Sequence, residues 1–207
     1  MPRTTTQVDL DRLLLGLAVP RASDDTEGQV LAAAVTELLK HGLDGFEVDD
    51  VAARSGVGRS TIYRRFGDRN GLIAATLASE ARRFFAALAD SVRDLDDIED
   101  QVVAAFSAGL RLARDHGLVD LVRSEPLLLR LLTVDAGDVI AAAVDQLVAE
   151  ARRRVPQLEA RSAATTAELL VRLAISFVIT PSDAFAGDHA AIEGAVRRHV
   201  VPLIRTR

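Results

Sequence analysis

Two short apolar patterns of helical period, separated by a glycine-marked turn, occupy residues 48–72, VDDVAARSGVGRSTIYRRFGDRNGL. Val48, Val51 and Ala52 stand at i, i+3, i+4, the spacing that lays side chains along one face of a helix. Gly56 follows where a left-handed cap residue would end it. The second pattern starts after Gly58. Ile62 and Phe66 point to one side, while Ser60 and Arg64 point roughly opposite, at about 100° per residue. The stretch therefore reads as a helix-turn-helix, and the rest of the chain must supply the helices that cover its apolar side.

The outward face of the second helix is cationic. Arg59, Arg64, Arg65 and Arg69 fall within eleven residues that hold a single acid, Asp68, and the chain's one tyrosine, Tyr63. The chain as a whole carries a net charge of -5 and has a pI near 5.4. A general polyanion binder is excluded by that balance, so any contact with nucleic acid must come from this local patch. Gly58 and Arg59 stand at a helix start, where unpaired N–H groups attract phosphate and where helix-turn-helix proteins first meet base edges. Arg59, Ser60 and Arg64 are the candidates for base contacts, because an arginine can bridge guanine O6 and N7. Arg65 is a candidate phosphate contact.

The segment GVGRSTIYRRFGDRNGL, with VAARSGV before it, resembles the recognition helix and following helix start of the TetR family of one-component transcriptional regulators. The resemblance rests on Thr61, Ile62, Tyr63 and Phe66 within the helix and on the cation Arg69 ahead of Leu72. It implies that Thr61, Tyr63 and Arg69 bind the DNA backbone, that the larger remainder of the chain senses a small molecule, and that the last two helices of each subunit form a four-helix bundle. Glu47 and Gly58 depart from the family's Thr or Ser caps, so each helix start loses a side-chain acceptor. Asp49 and Asp50 suit the helix dipole but would approach a phosphate, which shifts DNA contact onto the second helix.

The palette supports an all-α fold, with 49% of residues in the hydrophobic set, seven Phe, one Tyr and no Trp. Helix formers dominate and the aromatic content that strands prefer is scarce. With no cysteine there is no disulfide framework, thiol catalyst or Cys-ligated metal. The early run LLLGLAV is flanked by Asp9, Asp11 and Arg12 and is short for a signal core; no later run is expected to span a membrane, and a cytoplasmic location is expected.

Taken in order, Leu10, Leu13, Leu14 and Leu17 predict a short amphipathic helix in an N-terminal extension, residues 1–23. Asp24 to Thr26 supply N-caps for a helix bearing Val30, Leu31, Ala34, Val35, Leu38 and Leu39, ended by His41 and Gly42. That helix should close a DNA-binding domain over 24–71 by packing on Val51, Ile62 and Phe66. Asp68 caps a helix to about Val92 with Leu72, Ile73, Leu77, Phe84, Phe85 and Leu88 buried. Asp94 to Asp100 reads as a solvated connector. Further helices follow across 72–207, the effector-binding and dimerisation domain: one ending at His116 and Gly117, two short segments about Pro126, one from Asp138 to Arg154, and two apolar patterns at 162–180 and 189–204. The last two are expected to form a dimer interface.

No catalytic constellation emerges. His41, His116, His189 and His199 are scattered, and no strand pattern exists to hold a nucleophile elbow; no metal, cofactor or enzymatic activity is expected. A ligand pocket could be lined by Phe84, Phe85, Phe106, Leu110, Leu128, Leu132, Phe177 and Phe185. The sequence thus predicts a homodimeric regulator, acting as a repressor, that leaves a palindromic double-stranded DNA operator when a small, largely apolar effector binds. A helical carrier or enzyme whose basic helix is incidental is the competing class.

Overall fold

The computed structural model describes residues 24–115 and 117–205, so the helix expected around Leu10 to Leu17 and the part expected of His116 lie outside the described residues. Among the described residues every regular element is helical and none is a strand. Two compact units divide after Phe85, inside one long helix.

The first unit contains α1 (Asp25–His41), α2 (Val48–Ser55), α3 (Arg59–Phe66) and the first part of α4 (Arg69–Ser91). Asp24 caps α1 by accepting the Glu27 N–H at 2.8 Å, as its position before an apolar period predicts. Val30, Leu31, Ala34 and Leu38 are buried along α1, which packs on α2, and α2 packs on α3. Val51 and Ile62 are fully buried, while Phe66 is half-buried. Each such aliphatic side chain contributes about 1.5–3 kcal/mol by leaving water. The turn between α2 and α3 depends on Gly56, whose φ of 71° no branched side chain adopts cheaply and whose N–H bonds to the Ala52 carbonyl at 3.0 Å. Asp68 caps α4 by accepting the Gly71 N–H at 2.6 Å. On α4, Leu72 and Ile73 are fully buried, Leu77, Phe84 and Leu88 are half-buried, and Phe85 is exposed.

The second unit holds α5 (Ile98–Asp115), α6 (Gly117–Ser124), α7 (Pro126–Leu132), α8 (Gly137–Arg154), α9 (Ala160–Ile179) and α10 (His189–His199), with 3-10 turns at Asp183–Phe185 and Val201–Ile204. Its core is built where the stripe Val103, Phe106, Leu110 of α5 meets Ile192 and Val196 of α10 and the following Val200 and Val201. Spacing of four puts Ile192, Val196 and Val200 on one stripe, which α5 covers, while His189, Ala190, Gly194, Arg197 and Arg198 on the rest of α10 are exposed.

The uncovered apolar surface lies elsewhere. α8 and α9 pack on each other, yet Leu147 of α8 and Leu169 of α9 stand 47% and 49% exposed, and Ala167 alone is buried along α9. By length and composition α9 is also apolar enough to cross a membrane, which the sequence reading did not anticipate. Glu168 and Arg172, paired at 2.7 Å one turn apart, set a polar patch in its middle.

The acidic connector is shorter than expected. Asp97 accepts the N–H groups of Glu99 and Asp100 at 2.8 and 3.0 Å and so starts α5 at Ile98. Glu99 then takes both Nε and Nη2 of Arg205 at 2.6 Å, and Asp100 takes Arg197 at 2.7 Å. Partners about a hundred residues away, invisible to local pattern, turn acids that read as solvated into clamps on the C-terminal end of the core.

Candidate nucleic-acid interface

The angular arithmetic of α3 sorts its side chains. With Ile62 buried and taken as the inward direction, Ser60 and Arg64 lie nearly opposite, Tyr63 to one side, and Arg59 and Arg65 each about 60° from Ile62 on opposite flanks. Ser60 and Arg64 are accordingly exposed, Tyr63 is 45% exposed, and Thr61 is half-buried. Arg64 forms no ion pair among the described residues. Gly58 offers no side-chain cap to α3, so the first amides of the helix are left to a ligand's oxygens.

The two flanking arginines reach sideways, each to a carboxylate. Arg59 Nη2 donates to Asp49 Oδ2 in the first turn of α2. Arg65 Nη1 donates to Asp24 Oδ1 at 2.6 Å, and its Nη2 donates to Asp24 Oδ2. The bidentate pair fixes α3 to the start of α1 and holds the Asp24 carboxyl down at about 2, with the cap bond from Glu27 adding to the effect.

Arg69 is also committed within the unit. Its Nε donates to the Phe46 carbonyl at 2.8 Å, its Nη2 to the carbonyls of Leu43 and Asp44, and its guanidinium lies 5.9 Å from the Phe46 ring centroid. Backbone oxygens in the α1–α2 turn lack helical partners, and Arg69 satisfies them. Arg59, Ser60, Thr61, Tyr63 and Arg64 thus lie at the tip and outer face of α3, while Arg65 and Arg69 also hydrogen-bond within the unit. Local pattern marks Asp24 as a cap and Asp49 as a first-turn acid but does not mark their pairing with Arg65 and Arg59.

Behind this face, the buried Glu37 accepts Arg54 Nε at 2.6 Å and lies 3.4 Å from His41 Nε2. The Arg54 bond, which outweighs burial, lowers the Glu37 carboxyl below its usual range. Glu37, His41 and Asp50 bring one ligand atom each within 4.8 Å of one another. A guanidinium already on Glu37 opposes a cation there.

The apolar residues expected to line a pocket fall into separate groups. Phe84 and Phe85 meet edge-to-face at 5.9 Å within the first unit. In the second unit Phe106, Leu110, Phe177 and Phe185 share the core cluster, with the Phe185 ring 6.1 Å from Phe106 and 4.5 Å from Phe177. Leu110, Phe177 and Phe185 line a narrow cleft of about 10 Å³, room for roughly one water, that also meets Arg114 and Arg123. Leu128 is buried and Leu132 half-buried on α7, outside that lining. Arg114 donates to the Phe185 carbonyl, and Arg123 donates to the carbonyls of Val178 and Ile179 at 2.5 and 3.0 Å, tying the end of α9 to α5 and α6.

Comparison with known proteins agrees with this geometry. Residues 30–76 match the model of bacterial regulatory proteins of the tetR family, and residues 97–198 match that of the bacterial tetracyclin repressor C-terminal domain. An uncharacterised HTH-type transcriptional regulator of Mycobacterium bovis is 32% identical over 112 residues, 54% of this chain and 57% of that one. The chain thus matches little more than half the length of that relative. The HTH-type transcriptional regulator AlkX of Mycobacterium tuberculosis is 30% identical over 163 residues, 75% of each chain. The crystal structure of the TetR family repressor AlkX from a Dietzia strain superposes with a TM-score of 0.64 at 26% identity, covering 86% of this chain and 96% of the other.

Proposed function

Because the chain belongs to the TetR family of transcriptional regulators, we propose that it is a DNA-binding regulator, acting as a repressor in the cytoplasm, with residues 24–71 on the operator and 72–207 for dimerisation and effector sensing. The observation that carries the reading is the outer face of α3, where Ser60, Tyr63 and Arg64 are exposed beside Arg59 at an uncapped helix start. Such a face meets phosphates through charge and hydrogen bonds and meets guanine through an arginine fork.

Two copies joined along α8 and α9 would cover Leu147 and Leu169 and present two α3 helices to a palindromic operator. Successive major grooves on one side of the duplex lie about 34–36 Å apart, so the dimer's span decides whether both helices dock. An effector that binds a dimer of another span more tightly shifts the population off DNA. The Dietzia repressor is described as implicated in biodegradation of n-alkanes. The packed rings of Phe106, Phe177 and Phe185 in the core formed by α5 and α9 favour a largely apolar effector here.

The test is duplex binding by fluorescence anisotropy against salt, using DNA selected by the protein from a random pool. A steep loss of affinity with ionic strength supports phosphate contacts. Absence of binding to every selected duplex would leave a helical small-molecule carrier as the better reading.

A further inference from the structure

We infer that Asp49 is a specificity-determining residue, a positioning group that holds Arg59 for base reading while discouraging contact with DNA of any other sequence. The inference rests on the DNA-binding reading and adds a role for a residue that carries the wrong charge for an interface with phosphate.

Asp49 lies in the first turn of α2 and Arg59 is the first residue of α3, so the bond between them crosses the turn at the corner of the motif that first meets base edges. The two side chains remain 52% and 62% exposed. The pair is therefore at the surface, and burial does not explain it. One Nη2 donor is engaged by the carboxylate. A guanidinium has five N–H donors in a planar fork, so enough remain to bridge guanine O6 and N7. A free surface arginine samples many rotamers and must lose that freedom on binding; an arginine already held loses less. Asp49 can thus raise affinity for the one sequence that places guanine where the fork points.

Toward other sequences the same carboxylate acts in the opposite direction. Arg59 held at its post finds no matching base edge, and Asp49 approaches phosphates with a like charge. Non-specific affinity, which comes almost entirely from phosphate contacts, is lowered by each such repulsion. Repulsion of phosphate lowers binding to every duplex, and holding Arg59 restores affinity only where guanine meets the fork, so the ratio between operator and random DNA widens.

A latch would behave differently. If Asp49 only sequestered Arg59, its removal would strengthen binding to all duplexes in proportion. If it served only the α2 dipole, left without a side-chain cap at Glu47, its removal would weaken all duplexes in proportion. In both cases the ratio stays fixed.

The experiment measures affinities of full-length wild type, D49A, D49N, R59A and D49A/R59A for the selected duplex and for a random duplex, at one salt concentration. The expected result is a fall of about tenfold in the operator-to-random ratio for D49A, the scale of one base contact, with random-duplex affinity rising. D49N, which keeps an acceptor but no charge, should fall less. In the R59A background, removing Asp49 should raise affinity for both duplexes alike and leave the ratio unchanged. Circular dichroism checks the fold, and D49N carries the test should D49A not fold. A wild type that discriminates while D49A and D49N keep its ratio overturns the role of Asp49 and leaves the regulator reading intact. A wild type that binds no duplex overturns the regulator reading itself.

Discussion

Asp24 and Arg65, 41 residues apart, share one carboxylate–guanidinium fork that joins the start of α1 to the flank of α3. The same carboxylate caps α1, so a single side chain sets both where the first helix begins and how the recognition helix is rolled.

Arg65→Ala should lower the melting temperature by a few degrees, and Asp24→Ala, which loses the cap as well, should lower it further. In salt titrations of DNA binding, Arg65→Ala should keep the wild-type slope. A slope smaller by about one unit would instead identify Arg65 as a phosphate contact.

Arg64 and Tyr63 have different expected readouts. Arg64→Ala should cost about 1–3 kcal/mol of discrimination between the selected duplex and one altered at a single base pair. Tyr63→Phe should weaken all duplexes alike, because a hydroxyl bound to phosphate carries no sequence information. Equal effects of both on all sequences would show that Arg64 reads no base.

Acid should loosen the first unit through two carboxylates. The Glu37 carboxyl is lowered from 4.5 by Arg54, so its contribution is complete above that value and is lost as pH falls through the depressed one. Asp24 loses its contribution between its ordinary 3.8 and about 2. Glu37→Gln should cost about 1–3 kcal/mol at neutral pH, nearer the lower figure because Arg54 is partly exposed. Melting curves of wild type and variant should converge as pH falls below 4.5 and through the depressed value of Glu37.

Ser107 offers a contrast. It is fully buried on α5, and its hydroxyl has no hydrogen-bond partner among the described residues. An unpaired buried hydroxyl costs about 1–3 kcal/mol, so Ser107→Ala should be neutral or stabilising in denaturant unfolding.

Leu147→Glu and Leu169→Glu should convert a dimer to monomers in sedimentation experiments while leaving the helical spectrum intact. Operator affinity should fall with them, since one protomer presents one recognition helix. A wild type that is monomeric at all concentrations would remove the α8–α9 interface.

Features set by near neighbours were legible in the sequence. Asp24 and Asp68 as caps and Gly56 as the left-handed terminator need only residues within one helical turn. Ile62 inward and Arg64 outward need only the period of the helix. What escaped depends on distant partners. Arg65 and Arg69 look identical to Arg64 in a basic run, and only the placement of Asp24 and of the Leu43 to Phe46 carbonyls shows their bonds within the unit. The apolar stripes of α9 and α10 look alike, but α5 covers only one of them fully. Arg114 and Arg123 gave no signal, because the carbonyls they bind are more than fifty residues away.

Leu147 and Leu169 on the outer faces of α8 and α9 bear on the cell's economy of the protein. If a second copy is what shelters them, each newly made chain is vulnerable to proteolysis until it meets another, and the survivors rise more steeply than synthesis. A modest drop in expression would then clear the operator sharply, so abundance alone could act as a signal beside any small molecule.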